Sequence, residues 1–168
     1  MLVAGIGCRA GVSAEQVESA LAAALSLNTS YTPGNGDAPG NGDAPGKSDA
    51  PALQIATPMA KSREPGIIAA AASRGLRLVV ISQSELEAAN ARTLTRSEHS
   101  MIVMNVHSVA EAAALAGAGP TSRLLGPRIV VGPVTCALAR TSDPTLPAPA
   151  DIVGPSGPTA STKTTTTP

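Results

Sequence analysis

Short apolar runs alternate with amphipathic segments along most of the chain, and this alternation predicts strands and helices in turn. Leu2–Ile6 is an apolar run of strand length. The segment from Ala14 to Ser26 carries an apolar stripe at helical spacing, made of Val17, Ala20, Leu21, Ala24 and Leu25. Ser13 and Gln16 have the spacing of a capping box. A strand followed by a capped helix is therefore predicted at the start.

The alternation resumes after residue 51. Ala52–Thr57 is predicted to be a strand, Pro58–Arg63 a loop, and Glu64–Arg74 a helix. Pro65 suits the first turn of that helix, and Gly75 is placed to end it. These residues predict a second strand and helix.

The middle of the chain continues the pattern less regularly. Leu76–Ile81 is a continuous apolar run with one Arg, which is typical of a buried parallel strand. Ser84 and Glu87 have capping-box spacing, which predicts a short helix to about Asn90. Residues 91–100 are polar and predicted to be loop, while Met101–Val106 is compatible with a strand or a turn of helix.

The last third begins with a further capping box, formed by Ser108 and Glu111, which opens a helix to about Ala116. Later apolar runs predict strands, including a hairpin that returns to the sheet edge, at Leu124–Leu125, Ile129–Val131 and Val134–Ala139. This alternation of β and α elements predicts an α/β fold, a three-layer α/β/α sandwich around a mostly parallel or mixed sheet.

Two segments lack any such pattern. Residues 28–51 contain Gly-Asn-Gly-Asp-Ala-Pro twice, and residues 142–168 are rich in Pro and Thr. Such tracts bury too little apolar surface to offset their chain entropy. We therefore predict one domain over 1–141, with 28–51 as a flexible insertion and 142–168 as a disordered tail. Each repeat offers a single Asp, too few oxygen ligands for calcium, so no metal site is predicted.

Composition narrows the classes of function. The chain has no Phe or Trp and one Tyr, so helices must approach the sheet through small aliphatic side chains, and base stacking is excluded. Twelve basic and twelve acidic residues give zero net charge, which disfavours nucleic acid as a partner. No apolar run spans a membrane, and no signal peptide is recognised. We expect a soluble cytoplasmic protein whose Cys8 and Cys136 are buried free thiols.

The segment Gly5–Ser13 is the strongest candidate for ligand binding. Its glycines, Gly5, Gly7 and Gly11, let the backbone approach a ligand, and the following helix offers free N–H groups near Ser13. Cys8 and Arg9 lie within the turn, and Arg9 adds a fork of donors for an anion. The glycine spacing is one residue too long for a dinucleotide fingerprint, so a nucleotide-binding module is the weaker alternative.

Other candidates are weighed against structural roles. Lys61 and Glu64 lie at the predicted loop that shares the carboxyl edge of the sheet with the glycine turn, so both segments are expected to face one cleft. A solvated ion pair is the alternative for these two residues. Ser108 and Glu111 have a sufficient structural explanation as helix caps, while Thr135 either donates its hydroxyl to a ligand or fills a strand position that favours a β-branched residue. His99 and His107 lack a metal-ligand set.

Four motifs in order resemble the CobE/CbiG C-terminal domain family of cobalamin biosynthesis. They are Gly5–Ser13, Lys61–Gly66, Ser108–Leu115 and Val134–Arg140. The resemblance implies a role in making the corrin ring of vitamin B12, with a precorrin intermediate as partner and no cofactor. It adds weight to Lys61, Glu64, Ser108, Glu111 and Thr135 as ligand-binding residues beside the glycine turn.

Two activities follow from the resemblance. The first is binding or handling of a corrin-ring intermediate, whose carboxylates would meet Arg9, Lys61 and Arg63. The second is hydrolysis of a precorrin lactone with release of acetaldehyde, as in CbiG, with Glu64 as general base and Arg9 or Lys61 stabilising the oxyanion. The chain has no room for the other CbiG domains, which places the standalone CobE-like form first.

Overall fold

The computed structural model describes residues 1–28 and 52–141, which form one mixed sheet with helices on both faces. The predicted tail, and all but the first residue of the predicted insertion, lie outside these residues. The strands are β1 (Leu2–Cys8), β2 (Leu53–Pro58), β3 (Arg77–Ile81), β4 (Arg123–Leu124), β5 (Ile129–Val131) and β6 (Val134–Arg140). The helices are α1 (Ala14–Leu27), α2 (Pro65–Ser73), α3 (Gln83–Ala89), α4 (Glu98–Met104) and α5 (Val109–Ala118).

Strand β1 lies at the centre of the sheet. It pairs in parallel with β2 and antiparallel with β6, from Leu2 opposite Arg140 to Cys8 opposite Val134. The strand order is β3-β2-β1-β6-β4, and β5 forms a hairpin with β6. The mixed sheet and the hairpin confirm the predictions. The late strands return to one edge of the sheet as predicted, but β6 itself lies inside that edge, between β1 and the short strands β4 and β5.

The alternation of side chains along β1 divides the core into two layers. Leu2, Ala4 and Ile6 pack with α1 and α2, whereas Val3 packs with α3 and α5 on the opposite face. This arrangement confirms the α/β/α sandwich. On the α5 side the strand carries Gly5, where an added Cβ would lie 1.9 Å from the carbonyl oxygen of Ala110. The Ala-rich helix α5 therefore rests directly on the backbone of β1.

Strand β3 pairs in parallel with β2, as predicted, but its burial differs from the prediction. It is an edge strand, and Val80 is 43% exposed. A continuous apolar run does not distinguish an edge strand from a central one when helices cover only part of each face.

Helix α3 begins at Gln83, so that its N-cap is Ser82 and not the predicted Ser84. Ser82 caps it: the Ser82 side chain accepts from the Glu85 N–H, and the Glu85 carboxylate accepts from the Ser82 N–H at 2.8 Å. The predicted Ser84–Glu87 box is therefore wrong, because an overlapping box begins directly after β3. Hydrogen bonds from the Ser82 side chain and backbone hold the pKa of Glu85 below its usual value.

The polar region after α3 contains more helix than predicted. Residues 90–92 form a single 3-10 turn, and α4 begins at Glu98 inside the predicted loop. Of the two alternatives for Met101–Val106, the helical one is correct as far as Met104. Asn105 then ends α4 in the left-handed conformation, with φ of 52°. Only Ser100 of α4 is buried, so the helix lies loosely on the domain.

Candidate functional site

A cavity of about 690 Å³ opens at the carboxyl ends of β1 and β2. Four walls surround it: the turn after β1, the loop after β2, helix α4, and the β5–β6 hairpin. The prediction that the glycine turn and the Lys61 loop share one edge of the sheet is confirmed. The last two walls come from segments that the sequence did not connect to this edge.

The glycine turn is fixed on one side by the β5–β6 hairpin. The Thr135 hydroxyl donates to the carbonyl oxygen of Gly7 at 3.0 Å, and the Arg9 N–H donates to the carbonyl oxygen of Pro133 at 3.1 Å. A Cβ on Gly7 would lie 2.8 Å from the Thr135 hydroxyl oxygen. Glycine at this position therefore lets the hairpin close on the turn, and Gly7 and Thr135 both line the cavity.

The other side of the turn is fixed by Glu64. Its Oε1 accepts from the Gly11 N–H at 2.8 Å, while its Oε2 lies 3.9 Å from Nζ of Lys61. Gly11 has φ of +79°, which turns its N–H towards the carboxylate without the strain of a side chain. The Glu64 side chain is only 10% exposed and is not on the cavity wall. Its geometry suits holding the turn and the Lys61 loop together.

The charged side chains that the described residues place on the cavity wall are cationic. Arg9, Lys61 and Arg128 line the cavity together with His99, and no Asp or Glu of the described chain lines it. Since a cavity wall with one sign of charge attracts the opposite charge, this arrangement suits a ligand with several carboxylates. Val103, Met104 and Val130 add apolar surface to the same walls.

Both cysteines are free thiols, as predicted, but only Cys136 is buried. Cys8 is half-buried on the cavity wall, where burial raises its thiol pKa, Lys61 opposes the rise and Glu64 adds to it. Burial raises the pKa of Cys136 to about 12. Neither cysteine is therefore a ready nucleophile at neutral pH.

Five other predicted site residues lie away from the cavity wall, among them Gly11, whose N–H donates to Glu64. Gly5 packs under α5, and Ser13 caps α1 through a complete capping box with Gln16. Ser108 and Glu111 are fully buried. Ser108 caps α5 as predicted, but the reciprocal half of this capping box is wrong: Glu111 turns away and accepts hydrogen bonds from Leu94, Thr95 and Arg128.

Several residues that line the cavity were not predicted from the sequence to bind a ligand. Arg128 and His99 are the clearest cases, since both carry groups that recognise anions. If the hairpin had been predicted to pair with β1, the prediction would also have placed Arg128 near the glycine turn. For His99 the sequence carries no comparable signal, because its position depends on how the polar segment after α3 folds back.

No single helix among residues 1–28 and 52–141 is long and apolar enough to cross a membrane. Helices α4 and α5 pass such a test only together, and they are bent by 64° at the break between them. Within the same residues, no group of three or more His, Cys, Asp or Glu side chains is arranged to hold a metal ion.

The fold and cavity define a small α/β domain with a cationic pocket at the edge of a mixed sheet. The chain belongs to the family described as "Cobalamin synthesis G C-terminus", which it matches over residues 2–139. It is 34% identical over 138 residues to Protein CobE of Sinorhizobium sp, an alignment covering 82% of this chain and 79% of that protein. The chain is thus a cobalamin biosynthesis protein of the CobE/CbiG type.

Two solved structures share this fold. One is the crystal structure of CobE, a protein from the cobalamin (vitamin B12) biosynthetic pathway. Its alignment with this chain has a TM-score of 0.65 and 30% sequence identity, and it covers 83% of this chain and 89% of that one. The other is cobalamin biosynthesis protein chiG from Agrobacterium tumefaciens str. C58, with a TM-score of 0.59 and 33% identity, covering 85% of this chain and 100% of that one. Both confirm the fold and the family expected from the four motifs.

Proposed function

We propose that this protein binds a corrin-ring intermediate in the cavity at the carboxyl ends of β1 and β2. The observation that carries the proposal is the pairing of three cations, Arg9, Lys61 and Arg128, with apolar walls and no lining carboxylate in the described chain. A corrin intermediate has the complementary chemistry, because it is a large apolar macrocycle edged with acetate and propionate groups.

The dimensions and layout of the cavity support the same proposal. A volume of about 690 Å³ lies within the range of small-molecule sites, roughly 300–1,000 Å³. Its cations come from three different walls, so carboxylates at separate edges of one ring have partners on different sides. Charge-assisted hydrogen bonds at several edges would fix the orientation of the ring.

A spectroscopic titration tests the proposal directly. Dicyanocobyrinic acid carries free carboxylates, and its methyl ester presents the same ring without their charge. We expect the acid to bind with a shift of its visible bands at micromolar protein, and the ester to bind at least about tenfold more weakly, because a charge-assisted hydrogen bond is lost at each ester. Equal affinity for acid and ester, or no shift with the acid, would contradict the proposal.

Hydrolysis of a precorrin lactone is the second activity that the family suggests, and the site geometry supports it less. Glu64, the expected general base, already accepts from Gly11 and is not on the cavity wall. Release of acetaldehyde from a lactone-bearing intermediate would favour hydrolysis, whereas an unchanged bound pigment would favour binding alone. A cytoplasmic location stays a prediction.

A further inference from the structure

Glu111 is a buried carboxylate that accepts four hydrogen bonds. It lies in the first turn of α5 with no exposed surface, and among the described residues no Lys or Arg side chain pairs with it. Its Oε2 accepts from the N–H groups of Leu94 at 2.6 Å and Thr95 at 2.9 Å. Its Oε1 accepts from the Thr95 hydroxyl and from the Arg128 N–H, both at 2.8 Å.

These donors belong to two separate walls of the cavity. Leu94 and Thr95 lead into α4, which contributes His99, while Arg128 itself lines the hairpin wall. One carboxylate therefore joins both walls to α5, the helix that rests on β1.

We infer that Glu111 is a positioning residue that sets Arg128 and α4 against the glycine turn without touching the ligand. An ionised carboxylate accepts only, so it satisfies all four donors at once. Glutamine has nearly the same shape but one accepting oxygen, and its NH₂ group would face donors. Glu111→Gln therefore separates the accepting role of the side chain from its volume.

Hydrogen exchange tests the inference without a ligand. In the wild-type protein the amides of Leu94, Thr95 and Arg128 should be protected together. In Glu111→Gln the remaining oxygen can still accept from the Leu94 and Thr95 amides, and the new NH₂ group can donate to the Thr95 hydroxyl, which leaves the Arg128 N–H without its acceptor. We therefore expect the Arg128 amide to exchange at least about tenfold faster in this variant. Wild-type protection of the Arg128 amide in this variant would overturn the inference.

Ser122→Ala is the matched control. Ser122 is also buried, at 7% exposure, and its hydroxyl donates to the carbonyl oxygen of Leu115 at 2.9 Å at the other end of α5. The Ser122 hydroxyl is not on the cavity wall, but it also accepts from the Arg92 side chain at 3.2 Å, two residues before Leu94, so the control is measured at the Arg128 amide. Faster exchange at Arg128 in Ser122→Ala would show that general loosening of α5 explains the effect, and would overturn the positioning role.

The affinity for dicyanocobyrinic acid gives the second readout, and this part rests on the proposed function. Arg128→Ala should lower the affinity about tenfold, the scale of one lost charge-assisted hydrogen bond. Glu111→Gln should lower it at least as much, and the double variant should be no weaker than Glu111→Gln alone. A loss of about a hundredfold in the double variant, the product of two tenfold losses, would show independent action and overturn the inference.

The outcomes separate the two proposals. Absence of binding by the wild-type protein contradicts the proposed function, while hydrogen exchange still decides the role of Glu111. If Glu111→Gln does not fold, Thr95→Val removes one of the four donors and keeps the carboxylate. We then expect a fewfold loss of affinity and faster exchange at Leu94, and a folded Thr95→Val with wild-type values for both would overturn the inference.

Discussion

At the scale of single residues, each of the three glycines in the segment Gly5–Ser13 has a different structural role. Gly5 allows α5 to contact β1, Gly7 allows Thr135 to reach the turn, and Gly11 turns an N–H towards Glu64. The sequence indicated that the backbone at these glycines would approach another group closely. It did not identify the groups, which belong to α5, Thr135 and Glu64, because they lie about 50 to 130 residues away along the chain.

Gly5→Ala should destabilise the domain by about 3 kcal/mol, the upper range for an overpacked core. The new Cβ would lie 1.9 Å from a backbone oxygen of α5, which cannot give way as a flexible side chain does. Gly126→Ala is the control, because no atom lies within 4 Å of the Cβ position there. Urea denaturation should show a lower midpoint for the first variant and little change for the second.

Arg9→Ala should weaken binding of dicyanocobyrinic acid about tenfold while leaving the thermal unfolding midpoint almost unchanged. Arg9 is exposed at the cavity wall, and its backbone N–H, which the substitution retains, makes the contact with Pro133. Arg77→Ala removes an equally exposed arginine at the opposite end of the sheet. A similar loss of affinity in both variants would indicate a nonspecific charge effect.

Cys136 should make stability depend on alkaline pH. Its folded pKa of about 12 lies above the ordinary value of 9.0, so between these values the unfolded state loses the proton first. Stability from this group is full below pH 9 and falls as the pH rises towards 12, by about 1.4 kcal/mol per pH unit at most. Urea denaturation at pH 8 and pH 10 should show a smaller decrease for Cys136→Ala than for the wild type.

At the scale of elements, the capping residues explain where the helices begin. The sequence located the starts of α1 and α5, because Ser13 and Ser108 stand alone before apolar helical patterns. It misplaced the start of α3, where Ser82 and Ser84 offer overlapping boxes. It gave α4 only as one of two alternatives over Met101–Val106 and missed its start at Glu98, because most apolar residues of α4 are exposed and leave no stripe for the core, as with Ile102 at 83% exposure.

Ser82→Ala should cost about 1 kcal/mol, the usual scale for an N-cap. The pKa of Glu85 should rise towards its ordinary value in the same variant, because the Ser82 hydroxyl contributes most to its lowering. Ser84→Ala, within the helix, should change stability less. Urea denaturation and an NMR titration of the Glu85 carboxyl group check both effects, and an equal cost at Ser84 would contradict the cap assignment.

At the scale of the whole molecule, the pattern of the chain was enough to predict the layers but not the order of all strands. Alternation of β and α segments predicts a sandwich, and parallel pairing of β1, β2 and β3 follows from their helical connections. The position of β6 depends on a pairing between residues about 130 positions apart, which no local pattern encodes. For that reason the sequence predicted half of the cavity and missed Arg128 and α4.

Ligand binding should stabilise the entire domain, because the cavity walls come from segments at both ends of the described chain. At a ligand concentration of 100 times Kd, the free energy of unfolding should rise by about 2.7 kcal/mol. Thermal unfolding with and without dicyanocobyrinic acid measures this increase, and the methyl ester at the same concentration is the control. A stabilisation of the same size with the ester would argue against recognition through carboxylates.

The pairing of β1 with β6 also sets an order of events during synthesis. Strand β1 gains its antiparallel neighbour only when residues 134–140 have emerged from the ribosome, so this part of the sheet cannot form before then. Contacts this distant along the chain form slowly because the loop between them must first be closed. The glycine turn after β1 is therefore synthesised long before the β5–β6 hairpin that fixes one side of it.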